Sequence, residues 1–377
     1  MKIRFSILII VVSVSAVALL QGQESKKKDD GPSDGPYIFH NADGSRTARW
    51  LDDGTPKEKK FAKGEKVTLP EFAALIGASL ECAPHNVDAS IWSMPEKLMV
   101  ISDVEGQHKR LKKFLIANKV TDKDGKWAFG KGHLVCVGDF VDRGKKVTEV
   151  LWTIYRLEKE ALAAGGRVHM VLGNHEVMLL TGDERYLAKK YLNVSKAMGM
   201  KIHQLLGANT ELGRWLRTRN SLIRIGEYVF VHGGVSPWLA HRKVDYDGVN
   251  KMIRAVLTKD RRVRDSAQAT ALFWGRQGPL WYRGYFKKHE AGFGPYVTAS
   301  QMDKILKSLG GKTIIIGHTK VKKVLEVYPK KRVIDIDTTW VKNKKVHGLR
   351  IVKDQIRIVD IDGESSLLES DKDQKEN

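Results

Sequence analysis

"HLVCVGDFVDRG", residues 133–144, carries a short apolar strand into a turn that holds two aspartates and an arginine. Leu134, Val135, Cys136 and Val137 leave no polar face, as in a strand covered on both sides. Gly138 permits a tight turn at the strand end. Asp139 then stands where a buried strand has no use for a carboxylate unless a cation is near. The same construction recurs in KLMVISD (97–103), RVHMVLGN (167–174), EYVFVHGG (227–234) and KTIIIGH (312–318). Every run ends in Asp, Asn or His, with glycine beside it or close after it.

Helical periodicity fills the gaps between the early runs. Val147, Val150, Leu151, Ile154 and Leu157 recur at three- and four-residue steps, and Leu111, Phe114 and Leu115 repeat the pattern upstream. Alternating strands and helices predict an α/β fold with a parallel core and right-handed crossovers. In such a core the carboxyl ends of the strands share one edge, where ligands bind. The five polar strand ends are therefore expected to converge there. Residues 183–220, helical in pattern and rich in charge and aromatics (Tyr186, Tyr191, Trp215), are read as a cap over that edge.

Composition limits what surrounds this core. At 377 residues and 42% apolar content the chain supports one large domain with additions, and it is not a disordered protein. Two cysteines, one of them (Cys136) inside an apolar run, do not make a disulfide scaffold. Lys2 and Arg4 precede 14 uncharged residues, Ile7 to Leu20, and a polar stretch follows. That is shorter than the roughly 20 residues of a membrane span, and it fits an export signal over residues 1–22, giving a periplasmic or secreted protein; an uncleaved anchor is the alternative. A linker is expected over 23–36, a hairpin-rich extension over 37–94, the main domain over 95–361 and a loose polar tail over 362–377. The net charge of +21 suits anionic substrates or anionic surfaces. No base-reading motif accompanies it, so no specific nucleic-acid partner is expected. Oligomeric state is not legible.

The convergent side chains are Asp103, Glu105, Asp139, Asn174, His232 and His318. Oxygen donors beside imidazoles suit first-row divalent metals. Six ligands exceed the needs of one ion with open positions, so two ions are implied, with Asp139 as the bridge. Taken singly, each residue has a plainer reading, such as a turn aspartate or a core histidine; the joint pattern points to a metal centre.

GDFVDRG (138–144), GNHE (173–176), HGGVSP (232–237) and GHT (317–319) resemble the motif series of the calcineurin-like metallophosphoesterases. They are most similar to the phosphoprotein phosphatase branch, including its bacterial, Shewanella-like members, over about residues 97–340. The resemblance implies a two-layer β-sandwich flanked by helices with a dimetal site at the strand edge. It implies Asp103 and Asp139 as ligands of one metal, and Asp139, Asn174, His232 and His318 as ligands of the other. His175 matches the catalytic histidine, Asp142 its carboxylate partner and Arg143 a phosphate-binding arginine. The resemblance implies a second phosphate arginine between His232 and His318, for which Arg283 is the candidate and Arg276 its rival. The implied reaction is hydrolysis of phosphomonoesters by a metal-bridging hydroxide, those on protein Ser, Thr or Tyr included; a nucleotide or dinucleoside polyphosphate hydrolase is the alternative.

Two departures refine this expectation. The family's first motif carries a histidine where this chain has Glu105, a harder ligand that favours Mn or Mg over iron, with Zn also open; the alternative is that Glu105 points away and the first metal site is weak. After His318 comes Thr319, then Lys320, where phosphodiesterase relatives place a second histidine, which tilts the reading toward phosphomonoesters.

Overall fold

A computed structural model describes residues 31–242, 245–258, 267, 270–343, 345–353 and 355–369. The export signal and most of the linker lie outside the described residues, as do the last eight positions of the tail. No helix among the described residues is long and apolar enough to cross a membrane.

The strands in chain order are β1 (Asp34–His40), β2 (Arg46–Asp52), β3 (Thr55–Phe61), β4 (Ile91–Trp92), β5 (Lys97–Ile101), β6 (His133–Val137), β7 (Arg167–Val171), β8 (Leu222–Ile225), β9 (Tyr228–Val231), β10 (Thr313–Ile316), β11 (Leu325–Tyr328), β12 (Val333–Asp335), β13 (His347–Val352), β14 (Gln355–Asp360) and β15 (Ser365–Leu367). Helices α1 (Ala73–Ile76), α2 (His108–Ala117), α3 (Val147–Ala163), α4 (Asn174–Leu180), α5 (Lys189–Met198), α6 (Ile202–Leu205), α7 (Glu211–Arg217), α8 (Pro237–Ala240) and α9 (Tyr246–Thr258) connect them, and a further helix spans Ala299–Leu309.

Two six-stranded sheets face each other, ordered β15-β14-β13-β5-β6-β7 and β11-β12-β10-β9-β8-β4. Alternation along each strand explains the layering. In β5, Leu98 and Val100 join Val135 and Val137 of β6 against Phe230, Ile315 and Ile334 of the second sheet. Met99 and Ile101 point the other way, into the core shared with Leu111, Phe114 and Leu151 of the helices. Both faces are buried, as a continuous apolar run requires.

The five apolar runs do not form one parallel sheet. β5, β6 and β7 are parallel neighbours in the first sheet, while β9 and β10 are parallel neighbours in the second. The chain crosses between layers before β8, which returns as β9 through a two-residue turn in which Gly226 has φ 57°. Other boundaries shift too. Asp34–Pro36, read as linker, already belong to β1. Ser365–Leu367, read as loose tail, pair with β14 because the Asp360 carboxylate accepts from the Asp362 and Glu364 N–H groups at 2.9 Å each and folds the chain back.

Strands β1–β3 form a separate antiparallel meander. It packs on the main body: Trp152 Nε1 donates to the Pro36 carbonyl at 2.9 Å, and Thr148 Oγ1 donates to Asp34 Oδ2 at 3.0 Å. Of the aromatics read as a cap, Tyr191 and Trp215 are buried core, and Tyr186 reaches the strand edge.

Candidate metal and phosphate site

The loops after β5, β6 and β10 share an unusual backbone. Asp103, Glu105, Asp139, Asp142, Arg143 and His318 all have φ between 48° and 69°, a region non-glycine residues seldom occupy. Such residues cluster where the surroundings hold them against strain. Here the holding is visible. Asp103 N donates to Gly138 O at 3.0 Å and Glu105 N to Asp139 O at 3.0 Å, locking the first loop to the second. The buried Glu176 carboxylate then accepts from the N–H groups of Asp139 (2.9 Å), Phe140 (2.7 Å) and Gly173 (2.8 Å), locking the second loop to the loop after β7. Gly138 is required by close approach as well: a Cβ there would sit 2.7 Å from His232 Nδ1.

These loops line a small cleft of about 90 Å³ with Asp103, Glu105, Asp139, Arg143, Asn174, His175, Arg283 and His318. His232 closes it from behind, with Nε2 3.1 Å from Asp139 Oδ2 and 3.0 Å from Asn174 Oδ1. Asp142 backs His175, with Oδ2 2.6 Å from Nδ1. The structure thus gathers every residue singled out in the sequence. Arg276, the rival to Arg283, is not among them: it is exposed and donates to the Gly292 carbonyl at 3.1 Å, while Arg283 lines the cleft.

The donors fit divalent cations. Asp139, His232 and His318 offer ligand atoms within 4.8 Å of one another. His232 Nδ1 bonds the Val137 carbonyl at 2.8 Å, which turns Nε2 toward Asp139; His318 Nε2 bonds the Trp281 carbonyl at 3.2 Å, which frees Nδ1. Glu105 Oε2 and Asp142 Oδ1 are buried with no hydrogen-bond partner, and such orphaned oxygens need an explanation. Burial, then Asp337 and Asp139, push Asp103 well above the usual carboxylate range. That is the signature of carboxylates crowded together and short of positive charge.

Two features of the site were missed in the sequence. Glu105 does not stand alone: Arg143 pairs with its Oε1, while the guanidinium also lies over the Tyr186 ring, 5.3 Å from its centroid. Asp337, with Lys320, Tyr186 and Trp281, also lines the cleft. Asp337 is 1% exposed and its Oδ2 has no partner. VIDID (333–337) repeats the pattern of an apolar strand ending in a carboxylate, and that signal was available.

His175 is poised by its neighbours. Burial works against its charged form, but Asp139 and Asp142 together raise its pKa above the ordinary imidazole value. The arrangement can therefore present a proton beside bound phosphate.

Comparison with known proteins agrees with this geometry. Residues 96–322 match the calcineurin-like phosphoesterase family. The cold-active protein-tyrosine phosphatase of a psychrophilic Shewanella species is similar in structure, with TM-score 0.80 and 32% identity over 89% of this chain and 99% of that one. An uncharacterised Schizosaccharomyces pombe protein is 28% identical over 62% of this chain and 70% of its own length. Shewanella-like protein phosphatase 2 of Arabidopsis thaliana is 26% identical over 60% of this chain and 66% of its length, so the chain spans about two thirds of these curated relatives. The chain belongs to the calcineurin-like phosphoesterase family, and it is a phosphatase.

Proposed function

We propose that the chain hydrolyses phosphomonoesters on protein side chains, phosphotyrosine foremost, with two divalent ions of which manganese is favoured. The observation that carries this reading is the joint lining of one cleft by metal donors, two arginines and the His175–Asp142 pair. Asp103, Glu105 and Asp139 would hold one ion, and Asp139, Asn174, His232 and His318 the other. When bound, the ions supply an activated water and neutralise phosphoryl charge. Arg143 and Arg283 orient the phosphate by planar, paired hydrogen bonds. His175 holds a proton on Nε2 for the leaving oxygen, since Nδ1 is engaged by Asp142. Tyr186 and Trp281 give the cleft aromatic walls, which suit a phosphorylated ring. The name of the similar Shewanella enzyme supports the same substrate class.

A panel of phosphotyrosyl, phosphoseryl and phosphothreonyl peptides and a dinucleoside polyphosphate, run with Mn, Mg and Zn, tests the reading. The phosphotyrosyl peptide with Mn is expected to give the highest kcat/KM. Preference for the polyphosphate would overturn it. Export by residues 1–22 is part of the same proposal, checked by N-terminal sequencing of protein recovered outside the producing cytoplasm; recovery of only the intact chain inside would refute it.

A further inference from the structure

Away from the cleft, three metal-binding side chains, His40, Cys82 and Glu211, meet beneath the meander, and a fourth, His85, reaches Glu211. His40 ends β1, and its N–H donates to the Asn209 carbonyl at 2.8 Å, beside a bridge between Phe39 and Thr210. Thr210 is the N-cap of α7, so this clamp brings His40 to Glu211, the first residue of that helix. Cys82 and His85 arrive from CAPH (82–85), two ligands separated by two residues in the stretch between α1 and β4. His40 Nε2 lies 2.6 Å from Glu211 Oε2, and His85 Nε2 lies 3.0 Å from Glu211 Oε1. Ligand atoms of His40, Cys82 and Glu211 all fall within 4.8 Å of one another. The Glu211 side chain is 0% exposed, and those of His40 and His85 are 16% and 12% exposed.

We propose that His40, Cys82, His85 and Glu211 bind a structural zinc ion. Two imidazoles, one thiolate and one carboxylate form a four-donor set of the kind zinc takes in closed, tetrahedral sites. A thiolate and a carboxylate neutralise a divalent ion, so the filled site buries no net charge. Bond lengths of about 2.0 Å place tetrahedral nitrogen and oxygen ligands about 3.3 Å apart. The His40–Glu211 contact therefore opens by about 0.7 Å and the His85–Glu211 contact by about 0.3 Å, and because the two rings now meet different carboxylate oxygens, one of them must turn toward the oxygen that holds the ion. The Tyr155 hydroxyl donates to Glu211 Oε1, and its ring meets His85 edge-on at 5.7 Å, which fixes two of the ligands from behind. With four protein ligands the ion has no open position, and it would tie the meander, the 82–85 segment and α7 together. The competing arrangement is a metal-free knot, in which Glu211 accepts from His40, His85 and Tyr155 and the buried Cys82 thiol, pushed up to about 12, keeps its proton. Zinc binding must displace that proton.

The thiolate separates this site from the cleft, whose donors are nitrogen and oxygen. Cys136, the other cysteine, is buried within β6. In the full-length protein loaded with cobalt(II), a near-ultraviolet sulfur-to-cobalt charge-transfer band is expected. It should persist in Asp139→Asn, which disables the cleft, and vanish in Cys82→Ser. Zinc content should fall by about one ion per chain in Cys82→Ser and in His85→Gln. Zinc-edge X-ray absorption of the unmutated protein needs no variant to fold, and should show a sulfur scatterer at about 2.3 Å. Nitrogen and oxygen scatterers alone, or a cobalt spectrum without the band, would overturn the proposal.

Discussion

Asp139 and His175 sit in one cluster yet carry separable jobs. Asp139 faces His232 through Oδ2 and accepts the His175 N–H on Oδ1 at 2.9 Å, so it is placed to serve as ligand and scaffold at once. Asp139→Asn should abolish metal binding at the cleft and turnover together. His175→Asn should keep the metal and lower kcat by about 10²–10⁴-fold, the usual worth of a positioned acid. Metal analysis beside steady-state kinetics checks both, and equal metal loss in the two variants would contradict the assignment. Donors at the ends of buried strands were legible because hydrophobic sequence rarely ends in charge without cause. Asp337 was masked because its strand is only three residues long and lies in a tract with 12 basic residues against three acids, Lys312 to Lys353, where a carboxylate reads as a partner for surface charge. The Arg143 contact with Glu105 escaped for another reason. It depends on the left-handed backbone of both residues, which spacing along the chain does not encode.

At the scale of elements, Glu176 joins strands to function. Its carboxylate is 0% exposed and satisfies N–H groups at the end of β6 and before α4. Glu176→Gln retains the volume but turns an amide N–H₂ toward donors, leaving at least one buried N–H unpaired. A loss of about 3 kcal/mol is expected, from the cost of orphaned buried donors and a lost charged acceptor. Urea unfolding monitored by tryptophan fluorescence checks this; an unchanged midpoint would show that the loops hold without it. Helices α2 and α3 were readable from periodicity, since one face of each meets the core. The assignment of strands to sheets was not. Strands of either layer pack one face on the opposite sheet and the other on helices, so β9 and β10 show the same unbroken apolar pattern as β5 to β7 and could not be told from them by sequence.

Across the whole molecule, histidines shielded from water contribute to acid sensitivity. Burial, with help from Lys112 and from Arg167 respectively, lowers His108 and His133 to about 4. Their unfolded value is about 6.5. Below that pH the unfolded chain takes up protons that the folded chain refuses, so this stabilisation is full above about 6.5 and is lost as pH falls toward 4. The thermal midpoint should drop between pH 7.5 and 5, and His133→Gln should make the drop shallower. A flat profile in the unmutated protein would rule this out. The meander's contact with α3 and α7, and the meeting of His40, Cys82, His85 and Glu211, could not be read in advance. They join segments with no shared periodicity, and the CAPH spacing alone says nothing of its partners.

Asp103, Asp139 and Asn174 stand on one sheet of the sandwich, and His232 and His318 stand on the other. The apolar filling between the layers, Val100, Val137, Phe230 and Ile315 among it, therefore works as a spacer gauge for the ion cradle. Drift in those side chains would first alter which radius of cation seats well, long before it decided whether the chain folds.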